Sequence, residues 1–264
     1  MRTIIDVGAS NGLFANFIAN QSIKQRSSHS VRVFAVEPIP KSAEQIGERE
    51  NLTVIVKGIL PDKMTGRSGT RKLYITKNLA LSSFQVINKS INKVMWQYYL
   101  PSLVIESEVS VPCVSLKDLM SDNKITKVDF LKIDTQGTDL EVFLSAGKDT
   151  KKIMSCVFEV PYTKKFSIYQ HESDLVETVN VMAINGFFPI RVVPNGGGEC
   201  NVFFLNSEFS VDDYFQLENE LEFNRAPCLK IGKHQPMINS NFFEKLIYGL
   251  RRLCKKSLDF VLKI

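Results

Sequence analysis

The sequence has few of the residues that would commit it to several function classes. It holds three histidines, one tryptophan and five cysteines in 264 residues. The cysteines at 113, 156, 200, 228 and 254 are odd in number and widely spaced, and no C-x-x-C occurs. That argues against a disulfide framework and a zinc knuckle, and it predicts a reducing, cytoplasmic compartment. No apolar run approaches the roughly 18 residues that a spanning helix needs. There are no repeats and no low-complexity tracts. The net charge of +5 is mild, and the body of the chain has no dense basic block interleaved with aromatics, so nucleic acid is not expected as a partner. No signal peptide is expected, because a strand carrying a carboxylate starts at once. Residues that usually precede such a first strand are missing, so the natural start is expected upstream, or a partner is expected to cover that end.

What is present is a sizeable apolar fraction, 44%, with 23% charged residues, enough for one large domain or a domain with an appended lobe. The organising stretch is Thr3–Gly12, TIIDVGASNG. Its apolar lead-in reads as a buried parallel strand. Gly8 and Gly12 read as the turn into a helix from Leu13, with Phe14, Phe17 and Ile18 facing inward and amides at its start facing a ligand. The same text also fits a tight turn with no ligand. A second strand, Val31–Val36, ends at Glu37-Pro38, 25 residues beyond Gly12. An acidic residue there suits the two hydroxyls of a ribose. A polar helix is expected over Lys41–Glu50 and a third strand over Leu52–Val56, with Gly58 at its end.

Residues 61–116 break the pattern with three prolines, short β-like runs and the aromatic segment Trp96–Tyr99. They read as an insertion that either covers the active site or packs on the sheet edge. Then come a short helix from Asp118, a strand at Val128–Asp134, a helix carrying Leu140–Leu144, and a strand at Ile153–Phe158 followed by Glu159. A helix at Asp174–Asn185 and two strands, Phe188–Val193 and Cys200–Leu205, complete the series. The Gly-rich turn between those two strands predicts a hairpin. The expected fold is therefore α/β: a Rossmann-like, doubly wound, mostly parallel sheet ending in an antiparallel hairpin.

IIDVGASNG, VEP, VDFLKIDTQGTDLEVFLSAG, VFEVP and GGGECNVFFLN together resemble the FkbM family of methyltransferases, over roughly residues 3–206. The chain departs from the family text at Ser10, where Asn is usual directly after Ala, and at Asp139, where Glu is usual. The resemblance implies a class I methyltransferase fold and S-adenosyl-L-methionine as cofactor. It places Asp6, Gly8, Ala9, Ser10, Asn11 and Gly12 by the cofactor's amino acid portion, Glu37 and Pro38 by its ribose, and Gly58 and Ile59 by its adenine. Asp134 completes this set and is the first candidate for a general base, with Glu159 second and His171 third. Asp134 also fits an N-cap of the following helix. Magnesium could be held by Asp134 and Glu159, but no third ligand is spaced for it, so no metal is expected. The implied reaction is O-methylation of a small-molecule or glycan acceptor.

Two further readings stay open: a nicotinamide-dependent oxidoreductase, against which the missing G-x-G-x-x-G counts, and a non-catalytic module scaffolding at a membrane. The methyltransferase domain is expected over 1–210 and a C-terminal extension over 211–264. In that extension Phe242, Leu246, Leu250, Leu253 and Leu258 share a face opposite Lys245, Arg251, Arg252, Lys255 and Lys256. Such a basic amphipathic helix could touch an anionic membrane, pack on the domain or pair with a second subunit. The oligomeric state is not readable.

Overall fold

A computed structural model of the chain describes residues 1–24, 30–60, 69–196 and 198–229. The first unit alternates β1 (Arg2–Val7), α1 (Leu13–Lys24), β2 (Val31–Val36), α2 (Pro40–Ile46) and β3 (Leu52–Ile55). An inserted region holds β4 (Gly58–Ile59), β5 (Gly69–Thr76) and β6 (Ile105–Val114). The main chain path then resumes with α3 (Leu116–Asp122), β7 (Phe130–Ile133), α4 (Asp139–Leu144), β8 (Ser155–Pro161) and α5 (Leu175–Ile184). It finishes with β9 (Phe187–Gly196), β10 (Glu199–Asn206) and α6 (Val211–Glu220).

Seven of the strands form one sheet in the order β3-β2-β1-β7-β8-β10-β9. The pairs from β3 to β8 are parallel, and β10 runs antiparallel to both β8 and β9. This is the doubly wound sheet with a terminal hairpin that the sequence predicts. Alternation along each strand divides the core. Ile5, Val7, Leu131 and Ile133 face the side covered by α3, α4 and α5. Ile4, Val33, Phe130 and Val157 face the side covered by α1 and α6. Because side chains alternate, the polar residues at the carboxyl ends inherit a side too. Asp6, two residues after Ile4, and Lys132, two after Phe130, belong to the α1 side.

The cover on that side extends past residue 210. Tyr214 and Leu217 of α6, then Phe223 and Leu229, are fully buried in the same cluster as Phe14 and Ile18. Asn201 Nδ2 donates to the carbonyls of Cys228 (3.2 Å) and Leu229 (3.3 Å), fixing the end of this wrap. The basic amphipathic stretch expected over 240–264 lies outside the described residues. Among the described residues no helix is long and apolar enough to cross a membrane.

Two expectations need correction. The polar helix after β2 stops at Ile46, at Gly47, and does not reach Glu50. Gly58 does not end the third strand. The chain leaves the sheet after Ile55 in a tight turn, with Lys57 N donating to Ile55 O at 3.0 Å, and exposed Val56 marks that exit. Gly58 and Ile59 instead pair with Cys113 and Val114 in a separate three-stranded sheet, β4-β6-β5. The rest of the insertion is fastened to the loop after β8. Trp96 Nε1 donates to Phe166 O at 2.8 Å, Asn88 N to Ile168 O at 2.8 Å, and Gln170 N to Val86 O at 3.1 Å. Trp96, Leu103, Ile168 and Tyr169 form a small core between the two segments.

The Phe223 ring lies 4.4 Å from that of Phe130 and 6.5 Å from that of Phe14, with no exposure. If the wrap beyond residue 210 is part of the main core, Phe223→Ala costs about 3–5 kcal/mol in denaturant unfolding. A change below about 1 kcal/mol would mean that this segment packs loosely.

Candidate active site

An open cleft runs along the carboxyl ends of β1, β2 and β7. Gly8, Ser10, Glu37 and Pro38 form one side, Asp134, Thr135 and Gln136 another, and Gly58, Ile59, Leu79, Ser82 and Phe84 of the insertion close the third. Open α/β sheets bind ligands at this edge. Gly8 has φ +75°, and a Cβ built there would stand 1.9 Å from the carbonyl oxygen of Asp134. Only glycine lets the β1 turn and the β7 turn approach this closely.

The carboxyl ends converge on Lys132. It is the in-register neighbour of Asp6 on the parallel ladder, and 7% of its side chain is exposed. Its Nζ stands 3.2 Å from Asp6 Oδ1 and 3.4 Å from Asp134 Oδ2. Burial alone would drive the ammonium towards its neutral form, but the two carboxylates outweigh it and the lysine is held charged. Asp6 is buried, and burial raises its pKa against the pull of Lys132. Among the described residues Lys132 is the chief compensation for this charge, with a smaller contribution from the backbone amide of Ala15.

Asp134 is gripped from both sides. Gln136 Nε2 donates to its Oδ1 at 2.9 Å while Lys132 meets Oδ2. Gln136 Oε1 lies 3.0 Å from the Tyr169 hydroxyl, which lies 2.7 Å from Leu81 O of the insertion. Ser83 Oγ donates to the Gln136 carbonyl at 2.5 Å. Gly137, at φ +98°, is pressed against Tyr169, where a Cβ would come within 2.9 Å of the tyrosine Cβ and 3.1 Å of its ring. Asp134 does not cap α4. Thr138 holds the cap position, and Asp139 Oδ1 accepts from Thr135 N and Thr135 Oγ1, both at 2.7 Å.

Glu37 is 4% exposed at the end of β2. Oε2 accepts from Ser10 N at 2.8 Å and Oε1 from Ile39 N at 2.9 Å. Desolvation nevertheless pushes its pKa up to about 7. The two amides fix the carboxylate and leave each oxygen a lone pair for a further donor, and Ile39, Ile59 and Phe84 line apolar wall beside it. These residues fit a nucleoside with adjacent hydroxyls.

The remaining expected residues are spread out. Ala9 is buried in the α1 core, Gly12 packs on Asn16 and Ile46, and Asn11 is exposed. None of the three lines the cleft. Glu159 lies inside β8, not beyond its end, and Oε1 accepts from Asn195 Nδ2. Burial raises its pKa and that of Glu199 on β10; the Glu159 carboxylate raises Glu199 further, while the hydrogen bond from Glu199 draws Glu159 back down. His171 is exposed on the loop after Tyr169 and does not line the cleft. Sequence reasoning passed over Lys132, Gln136 and Tyr169. A lysine inside the apolar text DFLKID was the signal for the first, since a strand buried on both faces does not carry an uncompensated charge. Gln136 and Tyr169 meet only through the fold.

The family model described as "Methyltransferase FkbM domain" matches residues 6–189. The chain belongs to the FkbM methyltransferase family. Membership separates it from the nicotinamide-dependent oxidoreductases. No curated protein matches the sequence. Solved structures with a similar fold include a SAM-dependent methyltransferase from Aquifex aeolicus, at 13% identity over 77% of this chain and 81% of that one, TM-score 0.37. A putative rRNA methylase from Clostridium thermocellum aligns at 10% identity over 77% and 88%, TM-score 0.40. An O-methyltransferase family 2 protein from Planctomyces limnophilus, solved with apigenin, aligns at 12% over 78% and 51%, TM-score 0.36.

Two measurements follow from this charge arrangement. Replacing Lys132 by Met strands Asp6 without its counter-charge, so K132M is expected to lose about 3–5 kcal/mol of unfolding free energy, with part restored by adding D6N. A loss that D6N does not relieve would contradict the pairing. The second concerns pH. Burial raises Glu37 and Asp139 to about 7 and Glu172 to about 8. Above the ordinary carboxylate range the unfolded chain has released protons that the folded chain still holds, so stability falls as pH rises. The thermal midpoint is expected to be higher at pH 5.5 than at pH 8.5, and the opposite order would exclude these shifts.

Proposed function

We propose that this FkbM-family protein uses S-adenosyl-L-methionine to methylate a hydroxyl of a sugar, glycan or other natural product. The observation that carries the reading is the pairing of two differently held carboxylates across one cleft. Glu37 is fixed by backbone amides with lone pairs to spare, and Asp134 is oriented by Lys132 and Gln136 at the edge where an acceptor can enter.

When bound, the cofactor supplies a methyl group on a positively charged sulfonium. Glu37 would accept from the ribose hydroxyls, and Gly8 and Ser10 would bring backbone close to the same ligand. Asp6, Glu37 and Asp134 outnumber the ammonium groups of Lys132 and of Lys57, which also lines the cleft, and this suits a cationic ligand. A hydroxyl is a poor nucleophile until its proton has somewhere to go. Asp134 would take that proton, because its exposed edge, 25% of the side chain, faces the cleft while both oxygens are held in place. Holding the acceptor in line is positioning catalysis, and the clamped Asp134 turn supplies it. The reading places the enzyme in the cytoplasm, where thiols such as the buried Cys156 and Cys200 stay reduced.

The test is calorimetric titration with S-adenosylhomocysteine, then transfer of labelled methyl to a panel of hydroxyl acceptors. Glu37→Ala is expected to weaken cofactor binding about 100-fold. Wild-type affinity should fall as pH drops below about 7, where Glu37 gains its proton. Asp134→Asn is expected to lower kcat by about 100- to 10,000-fold with cofactor affinity little changed. Cofactor binding that is indifferent to Glu37, or transfer that is indifferent to Asp134, would remove the assignment.

A further inference from the structure

The insertion has a second face, turned away from the small core that fastens it to the loop after β8. Residues 92–103 wind through consecutive helical turns, with Trp96 N bonded to Asn92 O (3.1 Å), Leu100 N to Trp96 O (3.0 Å) and Leu103 N to Tyr99 O (3.1 Å). Trp96 and Leu103 point into the small core, 2% and 3% exposed. Val94 and Tyr98 recur four residues apart on the opposite side, while Met95 and Tyr99, whose ring meets that of Trp96 edge-on at 5.6 Å, lie at its margin. Val94 is 79% and Tyr98 83% exposed, and Val104 beyond the turns is 56% exposed. A cluster of large apolar side chains left in water on a folded domain marks a contact surface.

Around Val94 and Tyr98 the nearby charge is basic, and the exposed carboxylate of Glu106 lies beyond Val104. Lys77, Lys89 and Lys93 are exposed, and no Asp or Glu occurs from Lys77 to Ile105. Lysine is depleted at the core of protein–protein contacts. Tyrosines with apolar bodies and polar tips, valine and methionine to insert, and lysines at the margin are instead what the headgroup region of an anionic bilayer accommodates. We propose that the face carrying Val94, Met95, Tyr98, Tyr99 and Val104, flanked by Lys89 and Lys93, docks on an anionic lipid surface. The same segment supplies Leu79, Ser82 and Phe84 to the cleft wall, and Leu81 holds Tyr169. Docking here therefore brings the cleft to the membrane, and the structural route from this face to Asp134 runs through Tyr169 and Gln136. The surface contact itself does not depend on methyl transfer.

The test uses the full-length protein and vesicles of pure phosphatidylcholine or of equal parts phosphatidylcholine and phosphatidylglycerol. The protein is expected to sediment with the mixed vesicles and not with the pure ones. Lys89→Gln and Lys93→Gln should each weaken binding by about fivefold, and V94S with Y98S should abolish it. All of these positions are exposed, so thermal unfolding should stay at the wild-type midpoint and confirm that the variants fold. A benzophenone amino acid in place of Tyr98 should cross-link to lipid, whereas one in place of exposed Asp122 should not. Vesicle binding that the variants leave unchanged would assign it elsewhere on the chain and overturn the proposal. So would no binding at all, or cross-linking from position 98 to a second copy in place of lipid.

Discussion

The ammonium of Lys132 between Asp6 and Asp134 is the interaction on which this structure turns. It joins two neighbouring parallel strands at the end where the sheet opens, with the carboxyl groups of Asp6 and Asp134 on either side of it. Taking one lysine out of water is costly, and so is taking out each carboxylate. The arrangement holds because all three are brought together. The parallel register that sets Asp6 opposite Lys132 is thus both a packing decision and an electrostatic one.

From that centre the site grows outward by fastening. Asp134 is steadied by Gln136, Gln136 by the Tyr169 hydroxyl, and Tyr169 by a carbonyl of the insertion. A segment far away in sequence therefore sets the orientation of the carboxylate that an acceptor would meet. Glu37 is organised differently, by two backbone amides, and burial raises its pKa to about 7. The two carboxylates face one cleft from unlike environments, which is what distinct duties in binding and proton transfer require.

Much of this was legible in the sequence where a local rule governs. Buried apolar runs, the glycines after β1 and the turn before β10 gave the order of strands and the closing hairpin, because periodicity and turn chemistry act within a few residues. Glu37 was legible as a carboxylate ending a strand. The placement of Gly58 was not. Its partner is Cys113, and no local pattern announces a two-residue strand in a second sheet. The Tyr169–Gln136 contact, between partners 33 positions apart, was hidden for the same reason. Glu159 was expected at a strand end and lies within the strand, because pairing with β10 carries β8 on to Pro161. Lys132 was passed over although its signal was local, a charge inside an apolar strand.

The most direct test of the account is a structure of the protein with S-adenosylhomocysteine bound. The account predicts ribose hydroxyls donating to Glu37, with its two backbone amide contacts kept and Lys132 still between Asp6 and Asp134. A ligand seated away from Glu37, or a Lys132 ammonium drawn off Asp6 to meet the ligand, would contradict it.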